Sequence, residues 1–226
     1  MKKLYKIIVL FSLFTFISTY SPSEVNITKN NKFFFKVKNI KVNNLNRINE
    51  KVIISKLSHI YKKNILFLSK NDLAGHLTEI DFLEKIEVKK NYPNTIIIKI
   101  YETKPIGILS KNNNKYIIDN LSNLISFNKT LLDRELPNVF GKDSEKDFVI
   151  FLKQLESNNF PIDKVKNYYY FQIDRWDLQL RNTQIIKFPN DKRGEAIKQS
   201  VELLKRSDFK NYKTIDLRIH GKIVVD

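Results

Sequence analysis

Cysteine is absent from this chain of 226 residues, and glycine is scarce, with five copies. Without cysteine, no disulfide framework and no thiolate metal site can form. So few glycines also argue against the glycine-rich backbone loops that bind phosphate groups. A serine nucleophile elbow and the zinc motif H-E-x-x-H are missing as well. These absences argue against the hydrolases and nucleotide-binding enzymes that are built on such motifs.

The remaining candidates for chemistry are isolated in the sequence. His59 and His76 each lie on a predicted helix without a second ligand at metal-binding spacing, which is typical of surface or boundary histidines. Carboxylates occur in pairs, but each pair falls on a solvated face or near a turn, with no sign of the shared pocket that acid–base catalysis requires. The pairs are Glu84 with Glu87, Asp143 with Asp147, and Asp174 with Asp177. We therefore predict no enzymatic activity, no cofactor and no catalytic or metal-binding residue.

The net charge is +16 at pH 7, from 40 lysines and arginines against 24 aspartates and glutamates. Such an excess often indicates a nucleic acid partner. The lysines are spread along the whole chain, however, and a basic chain beside an anionic membrane surface would show the same excess. The aromatic run Tyr168–Tyr170 could stack bases, but its place in an alternating strand favours packing within a sheet. We predict that nucleic acid is not a partner.

The amino terminus carries a targeting signal. Residues 1–6 are basic, and residues 7–17 are apolar apart from one serine and one threonine. The apolar run is shorter than the ~20 residues of a full membrane span, which favours a cleaved signal peptide, whereas Tyr20 stands where a cleavage site needs a small residue. We favour an uncleaved signal anchor over residues 1–20, with a cytoplasmic amino terminus and the rest exported; cleavage stays open. A polar linker follows at 21–32.

A β-hairpin over residues 85–105 is the strongest structural signal. After the turn, Ile96, Ile98 and Ile100 alternate with polar residues, and this period of two marks a half-buried strand. Tyr92–Thr95 supplies the turn, because proline and asparagine at its centre suit the dihedral angles of a turn. The hairpin ends at its final proline, which cannot donate to a strand ladder.

One strand and two helices precede the hairpin. Residues 35–44 alternate between apolar and polar, which predicts a strand. Asn49 caps a first helix, and Ser69, with an aspartate three residues later, begins a capping box for a second helix that continues through Gly75. The order strand, helix, helix, strand, strand predicts one small domain over residues 33–105.

A second domain over residues 106–226 is predicted as α+β, with a mixed or antiparallel sheet. Its predicted elements are a hairpin at 115–127, a helix from Asp143, strands at 168–173, 176–180 and 184–188, a basic helix at 192–207 and a last strand from Thr214 to Val225. The helices carry apolar residues three and four apart, and the strands alternate. The whole chain is therefore predicted as α+β, with an amino-terminal membrane anchor before two folded domains.

The order of elements in the first domain resembles that of a POTRA domain (β-α-α-β-β). Four segments extend the likeness to the FtsQ/DivIB family of bacterial cell division proteins. They are Phe82–Pro105, with its aromatic-proline turn and E-x-x-P ending, Tyr116–Asp119, Leu136–Gly141 with the pattern L-P-x-x-x-G, and Ile215–Arg218 with the pattern D-L-R. The segments occur in the family's order, and the likeness spans almost all of the chain.

This resemblance implies a non-enzymatic scaffold in the cell inner membrane, which links early and late cell division proteins at the septum. The POTRA domain would serve recruitment, and the second domain would bind the coiled-coil partners FtsB and FtsL, with no small-molecule substrate. The expected means is β-augmentation, in which a partner adds a strand to an open sheet edge. The positions that match the family's edge strand are Arg218, Ile219, His220, Gly221, Lys222, Ile223 and Val224.

Three alternatives stay open on the sequence. The last strand also fits an ordinary interior strand, and Ile219 stands where relatives often carry an aromatic residue after the D-L-R pattern. A POTRA-bearing outer-membrane assembly or secretion factor is the alternative function, although such proteins usually carry a β-barrel or several POTRA units. An exported enzyme of unknown type would instead require polar side chains that converge in one pocket.

Overall fold

A computed structural model of the chain describes residues 2–19 and 35–226. The predicted linker at 21–32 lies outside the described residues. Helix α1 spans Lys2–Thr19, and its side chains from 4 to 18 are all exposed. Among the described residues, no helix combines the length and the apolar character that crossing a membrane requires.

The first folded unit has the predicted order of strand, helix, helix, strand and strand. Its elements are β1 Asn39–Asn43, α2 Glu50–Lys56, α3 Lys70–Ala74, β2 Leu83–Asn91 and β3 Thr95–Glu102. Strand β3 is central, with β1 parallel to it on one side and β2 antiparallel on the other. Ile96, Ile98 and Ile100 are fully buried beneath the helices, as the alternation predicted.

Helix starts in this unit follow the sequence closely, but one helix end does not. The side chain of Asn49 accepts the Lys51 N–H, and Ser69 forms the capping box with Asp72. The prediction that the second helix continues through Gly75 is wrong, because α3 ends at Ala74 and Gly75 is its C-cap. Glycine lowers helix propensity by ~1 kcal/mol, and the chain continues in turns that still bury Leu77.

The second unit is a mixed sheet of nine strands. They are β4 Pro105–Lys111, β5 Asn114–Asp119, β6 Leu124–Ser126, β7 Asn138–Phe140, β8 Val165–Phe171, β9 Arg175–Leu180, β10 Ile185–Lys187, β11 Thr214–Asp216 and β12 Val224–Val225. Their spatial order is β12-β11-β10-β9-β8-β7-β4-β5-β6. Three neighbouring pairs are parallel, β4 with β7, β7 with β8 and β10 with β11, which confirms the mixed α+β fold.

Two helices, α4 Glu145–Ser157 and α5 Arg193–Lys205, pack on one face of this sheet. A row of apolar side chains crosses the sheet beneath them. The row runs through Leu109, Val139, Tyr168, Leu178, Ile186 and Ile215, which are paired side by side on successive strands and fully buried. Trp176, Phe148 and Phe151 complete the core, with the rings of Phe151 and Trp176 stacked 5.2 Å apart.

The two units share a hydrophobic contact. Ile117 and Ile125 lie on β5 and β6 of the second sheet, yet both belong to the core of the first unit. Arg47 adds a polar link, because its Nε donates to the Leu131 carbonyl at 3.1 Å and its guanidinium pairs with Asp133. The strand β12 lies at the other end of the nine-stranded sheet, far from this contact in the strand order.

Candidate partner-binding edge

The seven residues predicted as an edge strand do not form one continuous strand. Only Val224 lies in a strand, β12, and the other six lie in the loop that joins β11 to β12. Gly221 adopts φ +72°, a left-handed conformation, and the Lys222 N–H donates to the Ile219 carbonyl at 3.0 Å. The chain therefore turns back here as a hairpin, because glycine without a β-carbon adopts positive φ readily. The predicted single strand from Thr214 to Val225 is wrong.

Strand β12 is nevertheless the outermost strand of the sheet, at the β11 side. Thr214 and Asp226 exchange both backbone hydrogen bonds, at 3.1 and 3.2 Å. In an antiparallel ladder such hydrogen-bonded pairs alternate with pairs whose N–H and C=O groups point away from each other. Val225, the partner of Ile215 in the next pair, therefore directs its N–H and C=O outward, away from β11. The outer side of β12 is an open edge within the part of the chain that the structure describes.

The loop beside this edge is held by an ion pair between Asp216 and Arg218. The Arg218 Nε lies 2.8 and 2.9 Å from the two carboxylate oxygens, and the Arg218 backbone N–H donates to the same group at 3.0 Å. Partial burial would raise the pKa of Asp216, but the hydrogen bonds from Arg218 outweigh it and hold that pKa below its usual value. Arg218 thus presents its charge at a defined place next to β12.

A row of charged residues leads across the sheet to the same edge. Asp177, Lys187 and Asp216 are paired side by side on β9, β10 and β11, and they lie on the face opposite the helices. Burial raises the pKa of the Asp177 carboxyl even though the Arg175 Nε lies 3.4 Å away. Val224 continues the row as the partner of Asp216, so the charged row ends at the open strand.

Apolar side chains flank the open strand without cover from the described residues. Ile219 is 56% exposed, Ile223 38% and Val224 52%. Three exposed aliphatic side chains next to unpaired backbone groups are typical of a protein contact site. Sequence reasoning found these residues but not the turn between them. Gly221 itself is the signal that would have indicated it, because an isolated glycine within a strand pattern often marks a break in the strand.

The histidines show an arrangement that the sequence did not predict. The rings of His59 and His76 lie 3.9 Å apart, and the His59 Nδ1 lies 3.1 Å from the Lys56 carbonyl oxygen. Within residues 2–19 and 35–226, no group of three or more histidine, cysteine, aspartate or glutamate side chains has the arrangement of a metal site. His220 lies in the loop beside β12, with its Nδ1 3.8 Å from a carboxylate oxygen of Glu195.

Comparisons with known proteins match both folded units. The family model described as POTRA domain, FtsQ-type, matches residues 35–103. The model described as Cell division protein FtsQ/DivIB, C-terminal, matches residues 107–218. A POTRA unit followed directly by this second domain defines a protein with a role in bacterial cell division. The chain belongs to the FtsQ/DivIB family.

The chain is also similar to individual proteins. The chain is 25% identical to the cell division protein FtsQ of Rickettsia felis over 97% of its own length and 85% of the relative's. It is 25% identical to the cell division protein DivIB of Clostridium tetani over 85% of its own length and 79% of the relative's. It is also similar to the extracytoplasmic domain of DivIB from Geobacillus stearothermophilus, with a TM-score of 0.33 and 8% identity over 49% of this chain and 98% of that one.

Proposed function

We propose that this protein is a non-enzymatic, single-pass scaffold of the bacterial divisome, which links early and late cell division proteins at the septum. In this proposal, residues 1–20 form a short cytoplasmic tail and a signal anchor in the inner membrane, and residues 21–32 form a linker. The POTRA domain at 33–105 and the second domain at 106–226 then lie in the periplasm. Membership of a cell division family supports the general role.

The second domain is proposed to bind FtsB and FtsL at the open edge of β12. The observation that carries this proposal is the outward direction of the Val225 N–H and C=O at the end of a nine-stranded sheet. A partner strand laid along β12 would pair with these groups, and each backbone hydrogen bond contributes about 0.5–1.5 kcal/mol. Ile223 and Val224 would give the partner apolar side chains to cover.

Arg218 is proposed to select partners that carry an acidic group. It lies where the loop between β11 and β12 begins, and the partner's carboxylate would meet it there. It is 40% exposed at its side chain while it pairs with Asp216, so it can meet a carboxylate of the partner without losing its position. Charged groups at the rim of an interface mainly change the rate of association and the choice of partner. In this proposal, backbone pairing at β12 together with the apolar contacts of Ile223 and Val224 supplies affinity, and the loop supplies selection.

Substitution of Val225 by proline tests the edge directly. The Val225 N–H points away from β11, so Val225→Pro removes an outward donor and leaves the bonds between Thr214 and Asp226 in place. We expect the affinity of the full chain in lipid nanodiscs for purified FtsB–FtsL to fall by about 2- to 12-fold. Biolayer interferometry measures this, with unchanged thermal unfolding as the check on folding.

Val225→Thr is the matched control, because threonine keeps the N–H and the β-branched shape of valine. It should bind FtsB–FtsL like the unchanged chain. Equal binding by the proline and threonine variants would contradict the proposal that a partner strand is added at β12.

A further inference from the structure

A cavity of about 450 Å³ opens in the second domain, where β9 ends and β10 begins. Arg218 follows β11, which runs parallel to β10, and so lies past the opposite ends of these strands. The apolar lining of the cavity comes from Leu180 at the end of β9, Leu203 in the last turns of α5, and Phe209 in the short 3₁₀ turn that follows α5. This volume falls within the range of ~300–1,000 Å³ that is typical of binding pockets. The cavity therefore has room for a large apolar side chain and its neighbours.

Positive charge surrounds the cavity. Four cationic residues line it, Lys164, Arg181, Arg206 and Lys210, against the single acid Asp163. Arg181 pairs with Glu135 at 3.0 Å, and Arg206 pairs with Asp208 at 2.6 Å. Among the described residues, Lys164 and Lys210 have no carboxylate within ion-pair distance. Two unpaired ammonium groups beside an apolar lining favour an occupant that carries both negative charge and apolar surface.

A buried amide adds a hydrogen-bonding group to the lining. Gln184 is only 4% exposed, and its side-chain N–H₂ donates to the carbonyls of Phe209 and Tyr212, each at 2.8 Å. Both donors of the amide are thereby used, and no described group donates to its carbonyl oxygen. That oxygen is left to accept a hydrogen bond, and the N–H group of a peptide backbone would supply the donor. The chemistry fits a peptide segment.

The cavity lies close to one end of the open strand. Lys210 lines the cavity, and the Lys213 N–H donates to the carbonyl of Asp226, which directly follows β12, at 2.7 Å. Two residues of chain separate these lysines, so their Cα atoms lie at most about 11 Å apart. A peptide that continues past the Asp226 end of β12 would arrive at the cavity within a few residues.

We propose that this cavity holds an acidic segment of the partner that carries a large apolar side chain, positioned directly beyond the strand that pairs with β12. The apolar side chain enters between Leu203 and Phe209, and the flanking carboxylates meet Lys164 and Lys210. This proposal rests on the edge site proposed above. It extends that site past the Asp226 end of β12, on the side away from Arg218.

Charge reversal tests the cavity apart from the edge. In the full chain in nanodiscs, Lys164→Glu with Lys210→Glu should weaken FtsB–FtsL binding by about tenfold or more, largely through slower association, and the loss should shrink as salt is raised. Lys146→Glu with Lys153→Glu, two exposed positions on α4, makes the same change in net charge and should leave binding nearly unchanged. Thermal unfolding confirms that both double variants fold.

A direct probe of the cavity does not depend on FtsB–FtsL. A synthetic pentapeptide with phenylalanine at its centre and two acidic residues on each side should shift the methyl NMR signals of Leu180 and Leu203, whereas the same peptide with lysines should not.

The outcomes separate the two proposals. Loss of binding in Val225→Pro but not in the Lys164/Lys210 reversal, with no methyl shifts, overturns the cavity and leaves the edge. Loss in the reversal with binding intact in Val225→Pro supports the cavity as a partner site, but it overturns the edge and the placement of the acidic segment directly beyond β12. If neither variant weakens FtsB–FtsL binding and the acidic peptide causes no methyl shifts, both proposals fail. If the peptide causes methyl shifts but neither variant weakens FtsB–FtsL binding, the cavity binds acidic peptides and its link to the edge is overturned.

Discussion

At the scale of single residues, the backbone conformation and the close packing at position 141 explain why the segment Leu136–Gly141 ends in glycine. Its φ is +128°, a conformation that residues with a side chain rarely adopt. A β-carbon placed there would lie 2.6 Å from the Tyr170 carbonyl oxygen and 2.7 Å from the Tyr170 Cβ. Both the dihedral angle and the space therefore require glycine where β7 ends beside β8.

Replacement of Gly141 by alanine should destabilise the protein by about 2 kcal/mol or more, because the backbone must shift to relieve the contact with Tyr170. Urea denaturation of the full chain measures the change. Gly194→Ala is the control, since Gly194 lies in the first turn of α5 with nothing within 4 Å of the added carbon. Alanine there should stabilise the helix by up to about 1 kcal/mol. A similar change in both variants would contradict the argument from space and dihedral angle.

At the scale of elements, the loop before α2 is organised by one carboxylate at the end of β3. Glu102 accepts hydrogen bonds from the backbone N–H groups of Asn46, Arg47 and Ile48, at 2.8 to 3.0 Å. Its side chain is 7% exposed and lies 4.0 Å from the Arg47 guanidinium. The carboxylate thus ties the end of β3 to the start of the helical layer.

Glu102→Ala should destabilise the protein by about 2 kcal/mol, because three backbone N–H groups lose their acceptor and the nearly buried Arg47 loses one of its two carboxylate neighbours. Thermal unfolding measures the total change, and amide hydrogen exchange should show α2 opening more readily. Glu84→Ala, at an exposed position on β2, should change stability by less than about 0.5 kcal/mol. Unaltered exchange in α2 of Glu102→Ala would refute the role of this carboxylate.

Elements with local signals could be predicted from the sequence, and elements that depend on distant contacts could not. The Asn49 and Ser69 caps and the hairpin of β2 and β3 arise from neighbouring residues, so their patterns are visible in the chain. Strand β7 has three residues and exists because β4 and β8 lie on either side of it. The return of the chain into β12 follows from one glycine, whose backbone angle no periodic pattern reveals.

The candidate site was predictable in part for the same reason. The D-L-R pattern pointed to the stretch of chain that leads into the open edge strand, and the exposed residues Ile223 and Val224 belong to it. Which backbone groups point outward depends on the register between β11 and β12, which sequence periodicity alone does not determine. The cavity beside Gln184 was not predicted, because its lining comes from four separate segments between residues 163 and 210.

At the scale of the whole molecule, the two folded units are joined through a shared core. Ile117 lies on β5 of the second sheet, is fully buried, and packs with the helices and sheet of the POTRA domain. The domains meet through apolar side chains at one end of the nine-stranded sheet. Such a contact couples the stability of the first unit to residues of the second.

Ile117→Ala should therefore weaken the POTRA domain although the residue lies outside it. We expect a loss of about 2–5 kcal/mol in total stability and faster amide exchange in α2 and β3. Leu178→Ala removes a similar volume from the core under α4 and α5 and should leave exchange in α2 and β3 unchanged until the protein unfolds globally. Exchange in the POTRA domain that is equally fast in both variants would argue against a specific coupling through Ile117.

The brevity of β12 has a consequence for the behaviour of the molecule at high concentration. An exposed edge strand is a template on which other chains can aggregate, and short edge strands limit this hazard. With two residues, β12 offers too few ladder positions to nucleate growth by backbone pairing alone. Crowded copies of the protein can therefore keep this edge uncovered without aggregating, and only a ligand with matching side chains on both flanks gains enough contact to stay bound.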